Sequence, residues 1–83
     1  MASEGEARPP LRLLHTPEAF SRSALDFWRS QATDDIIRSL APNAERPLLV
    51  KMDGTIVDGN TRIFILLERD YDVELLPRTG YPR

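Results

Sequence analysis

The chain has 83 residues, 11 of them Lys or Arg and 13 Asp or Glu, for a formal charge of −2. That length holds one small domain with a thin stability margin, and 41% hydrophobic with 29% charged residues is the balance of a globular protein, not a disordered one. The absence of cysteine excludes disulfides, thiolate chemistry and cysteine metal sites, and the scattered charges give no basic footprint for a nucleic-acid backbone.

Met1 to Pro10 is small, polar and proline-ended, and reads as a flexible tail. It lacks a secretory profile, and no run in the chain approaches the roughly 20 apolar residues of a membrane span, so a soluble cytoplasmic protein with no membrane contact is expected. Leu11 to His15 alternates enough for a first strand with Leu11 and Leu13 facing inward. Thr16-Pro17-Glu18 has the chemistry of a helix start, and in the helix that follows Phe20, Ala24, Phe27 and Trp28 fall on one core-facing side. A second helix starts at Thr33-Asp34-Asp35, presents Ile36, Ile37 and Leu40, and ends at Pro42. Neighbouring helix residues point about 100° apart, so Asp34 and Asp35 serve the helix dipole better than they serve catalysis or a metal. His15 has no second His or Cys to join it and is read as a surface or capping group.

The centre of the chain is Pro47 to Arg62, PLLVKMDGTIVDGNTR. Asp53-Gly54 supplies the pair that a two-residue type I′ hairpin turn requires. Counting outward sets Met52 opposite Thr55, Lys51 opposite Ile56 and Val50 opposite Val57, with Leu48, Val50 and Val57 on one face. The second strand runs into Asp58-Gly59-Asn60-Thr61-Arg62, where Asn60 is a good N-cap for a helix over 61–70 with Ile63, Phe64, Leu66 and Leu67 as its apolar face. Free N–H groups at that helix start, the positive end of its dipole and the charge of Arg62 together make an anion site. Val73 to Leu76 reads as a last strand ended by Pro77, and Arg78 to Arg83 as a fraying tail. The expected fold is α/β (α+β): a small mixed sheet whose hairpin leads into a central helix, one domain over 11–77, with tails at 1–10 and 78–83.

From Pro47 to Pro77 these pieces resemble the ParB/sulfiredoxin-like superfamily, which carries a short strand, a turn, a second strand ending in a D-G-N-x-R or G-x-x-R type signature, a helix and a final short strand. The order of the preceding elements extends the resemblance to about residues 11–77. It implies that Asp58, Gly59, Asn60, Thr61 and Arg62 hold the phosphates of a nucleotide, ATP as in sulfiredoxins or CTP as in partition proteins. Asn60 and Thr61 stand where sulfiredoxins have their catalytic Cys and the following His, so reductase activity is excluded. The helix-turn-helix of partition proteins has no counterpart here, and independent DNA binding is not expected. No convergent carboxylates beyond Asp58 suggest a nuclease, and neither catalytic nor metal-binding residues are assigned.

Two readings follow. One is a minimal nucleotide- or phosphate-binding domain; the other is a non-catalytic protein-interaction module, such as the small partner of a two-gene regulatory or toxin–antitoxin pair. The plain structural alternative to the first is that Asn60 only caps the helix and Arg62 only pairs with a nearby carboxylate. An enzyme, phosphoryl-transferring or nuclease, ranks third.

Overall fold

The computed structural model describes residues 9–81, so the tail expected at 1–10 lies almost wholly outside the described residues, as do 82 and 83. Among the described residues are α1 (Arg22–Arg29), α2 (Thr33–Ser39), β1 (Leu49–Val50), β2 (Ile56–Asp58), α3 (Asn60–Glu68) and β3 (Thr79–Gly80), with 3₁₀ turns at Pro17–Ala19 and Val73–Leu75. The sheet is mixed, in the order β2-β1-β3: β1 is antiparallel to β2 and parallel to β3. This is a small α+β fold of the expected class. Among the described residues no helix is long and apolar enough to cross a membrane.

The hairpin forms where Asp53-Gly54 predicts it, with a different turn. Gly54 has φ +94° while Asp53 does not enter the left-handed region, so a type I′ turn is ruled out. The Gly54 amide donates to the Lys51 carbonyl and the Lys51 amide to the Thr55 carbonyl, both at 2.9 Å. Three residues, Met52 to Gly54, thus make the loop, with the glycine in its last position. The register moves by one: Lys51 bonds Thr55 and Val50 faces Ile56. Leu49 then faces Asp58, which leaves Val57 without an opposite number, as in a β-bulge. Ile56, fully buried, therefore takes the core place expected of Val57, which is only half-buried.

The first strand is reduced to a single bridge. Arg12 lies parallel to Thr55, its amide donating to the Gly54 carbonyl at 2.8 Å and its carbonyl accepting from Ile56 at 2.9 Å. Leu11 and Leu13 pack against the core as their alternation requires. The helix start at Pro17 yields only a 3₁₀ turn, because the chain is extended at Phe20 and begins again at Ser21, whose hydroxyl accepts from the Ala24 amide. That restart turns Phe27 outward, 55% exposed, and brings Leu25 to the core instead.

In α2 Ile36 and Leu40 are buried, and in α3 Ile63, Ile65 and Leu66, against Leu48, Val50, Ile56, Val73 and Leu76. Leu67, expected on the apolar face, is exposed. Val73 and Leu76 are both buried at a spacing of three, which suits the 3₁₀ turn that replaces the expected last strand. The third strand lies beyond Pro77, in the segment expected to fray: the Thr79 amide donates to the Leu48 carbonyl and the Tyr81 amide to Val50, each at 2.9 Å. Backbone bonds alone define it, and nothing in its side chains announces a strand.

Candidate functional site

β2 ends, the chain turns through Gly59 at φ +113°, and α3 begins at Asn60. A side chain at Gly59 would be strained by that φ and would crowd Leu40 and Leu48 at 3.2 Å, so glycine is what allows strand and helix to meet so closely here. Gly59 itself is the N-cap position, where Asn60 was expected. Its carbonyl accepts the first intrahelical bond, from Ile63 at 2.9 Å, so the amides of Asn60, Thr61 and Arg62 have no acceptor within the helix.

Asn60 does something that its cap chemistry did not suggest. It is 8% exposed, its Oδ1 accepts from the Leu14 amide at 2.7 Å, and its Nδ2 donates to the Ile56 carbonyl at 3.0 Å. The side chain is spent on tying the N-terminal segment to β2, leaving only the backbone amide for a ligand.

Asp58, Gly59, Asn60, Thr61 and Arg62 all line an open cleft of about 510 Å³, within the usual size of small-molecule sites. Its opposite walls come from Phe20 and Trp28 and from Arg46, on the loop between α2 and β1. His15 also lines it, edge-on to Phe20 with ring centres 6.5 Å apart. The sequence reading brought the five signature residues together and missed Arg46, which no local motif marks. It placed Trp28 in the core by helical spacing, and the half-buried indole does pack against the core while also lining the cleft.

Arg62 is 5% exposed. Its Nη1 donates to the Ser39 carbonyl at 3.0 Å and to Ser39 Oγ at 3.2 Å, and its guanidinium carbon lies 5.3 Å from the centre of the Trp28 ring. The Ser39 carbonyl belongs to the last residue of α2, so Arg62 neutralises the negative end of one helix while standing at the positive end of another. Its Nη2 is 4.0 Å from Asp58 Oδ1, an ion pair too long for a hydrogen bond. Neither Nη2 nor Nε has a hydrogen-bond acceptor among the described residues. Burial lowers the Arg62 pKa, Asp58 raises it, and the like charge of Arg46 lowers it further; a guanidinium still remains charged at neutral pH.

Asp58 is held mainly by Arg46, through Nη2 to Oδ1 at 2.9 Å and Nε to Oδ2 at 3.3 Å, which raises the Arg46 pKa. Two guanidinium groups, Arg46 and Arg62, therefore flank the Asp58 carboxylate, and Glu45 also lines the cleft. Elsewhere Asp35 pairs with Arg38 at 2.8 Å, and among the described residues no three His, Cys, Asp or Glu side chains are grouped to hold a metal ion. Compared with family models, with curated proteins and with solved structures, the chain matches none.

Proposed function

We propose that this chain is a minimal ParB/sulfiredoxin-like domain that binds a phosphate-bearing small molecule, a nucleotide such as ATP or CTP, in the cleft at the β2–α3 junction. The observation that carries this reading is Arg62: a nearly buried guanidinium lining the cleft, whose Nη2 and Nε have no hydrogen-bond acceptor among the described residues. Neither nitrogen is sealed from solvent, so an anion entering the cleft meets them and also faces the free amides at the start of α3. The aromatic wall of Phe20 and Trp28 suits the planar, less polar part of such a ligand. Binding is proposed, with no chemical step.

A nitrogen–proton NMR titration of the full chain with ATP, CTP and inorganic phosphate tests the reading. Amide shifts concentrated on Gly59 to Ile63, with a saturating dose dependence, support it; no shift there at millimolar ligand refutes it. The second reading, an interaction module, has the exposed Phe27 ring in its favour, and silence in this titration would favour it.

A further inference from the structure

Asp58 occupies the place between Arg46 and Arg62 that a ligand's anionic group would take. Of the two cations, one is nearly buried against a helix end and the other is exposed on a loop. Arg62 is held by Ser39 and by the Trp28 ring, and is nearly buried. The Arg46 side chain is 75% exposed, springs from a loop outside any helix or strand, and has Asp58 as its hydrogen-bond partner among the described residues. Water and salt compete for the exposed Arg46 end of this pair, while Asp58 is 27% exposed and less screened. A phosphate, with more charge than a carboxylate, is the acceptor that draws Arg46 from it.

We propose that Arg46 is a second anion-binding group of the cleft, stored on Asp58 when the cleft is empty and transferred to the ligand when a diphosphate binds. The proposal rests on the phosphate reading above and adds to it a ligand class and a regulating residue. One phosphate meets Arg62 and the first amides of α3; a second, linked phosphate recruits Arg46 from the loop. Asp58 cannot leave with Arg46, since it ends β2, and so it acts as a built-in competitor that discriminates against ligands with a single weak anion. Glu45 also lines the cleft, so the charges of Arg46 and Arg62 are balanced by Asp58 and Glu45, and the positive end of the α3 dipole is what favours an anion beside Arg62.

The test uses the full chain with pyrophosphate and orthophosphate as probes, binding followed by the fluorescence of Trp28, the single tryptophan, which lies against Arg62. Wild type is expected to bind pyrophosphate about tenfold more tightly than orthophosphate, the scale of one added charge-assisted contact. Arg46→Gln is expected to erase that preference, lowering pyrophosphate affinity several-fold more than orthophosphate affinity, with little change in melting temperature because the side chain is exposed. Asp58→Asn is expected to tighten pyrophosphate binding several-fold by removing the competitor. If Arg46→Gln weakens both probes equally or neither, or if Asp58→Asn weakens pyrophosphate, the transfer is wrong and the phosphate site stands. If wild type binds neither probe at millimolar concentration, the phosphate site falls and the transfer with it.

Discussion

Asn60 Oδ1 accepts from the amide of Leu14 at 2.7 Å, a bond across 46 positions of sequence that fixes the N-terminal segment beside β2 at the mouth of the cleft. The same side chain donates to the Ile56 carbonyl, so one buried amide bridges two backbone segments. Asn60→Ala would strand both backbone groups and is expected to cost about 1–3 kcal/mol. Chemical denaturation measures the loss, and hydrogen exchange should show the amides of Arg12, Leu14 and Ile56 losing protection first.

The C-terminus of α3 offers the opposite change. Asp70 has φ +61°, the Tyr71 amide donates to Leu66 and the Asp70 amide to Leu67, each at 3.0 Å, which is a Schellman ending with aspartate where glycine is preferred. Asp70→Gly is expected to stabilise the chain by roughly 0.5–1 kcal/mol, the left-handed strain relieved less the extra freedom of glycine when unfolded. A raised denaturation midpoint with an unchanged slope checks it.

Much of the fold was legible because its signals are local. Gly54 and Gly59 mark two of the three places among the described residues where the chain takes positive φ, Asp70 being the third, and the apolar spacing of Ile36, Leu40, Ile63 and Leu66 locates the core faces of α2 and α3. What failed depends on distant partners or on a choice between similar local options. Ser21 caps a helix three residues from Ala24, but the stronger start signal at Thr16-Pro17 hid it. Val73 and Leu76 fit a spacing of three as well as a strand, and β3 is held by its backbone alone. At the site, the five-residue signature marked the cleft, while Arg46 reaches Asp58 from a loop whose sequence says nothing of its destination.

Acid should weaken the packing of α1 on α3. Arg29 donates to Glu68 through Nη2 at 2.7 Å and Nε at 3.1 Å, and these bonds hold the Glu68 carboxyl below its ordinary 4.5 despite some opposing desolvation. A carboxyl depressed in the folded state adds stability above its ordinary pKa and loses it as pH falls through the folded value. Melting temperature is therefore expected to fall as pH drops below about 4.5, and Glu68→Gln should be less stable near neutrality and show a shallower acid decline.

The central claim is that Arg62 serves a ligand as well as the fold. Arg62→Gln keeps an amide donor for the Ser39 carbonyl while removing the charge, so the variant is expected to fold. Calorimetric titration of wild type and Arg62→Gln with CTP and ATP tests the claim most directly. The account expects saturable binding of one of them by wild type and a loss of about 1.5–3 kcal/mol in the variant, the scale of a hydrogen bond to a charged group. No heat of binding from wild type at millimolar nucleotide, with the variant differing only in thermal stability, would contradict it and leave Arg62 a structural arginine between α2 and α3.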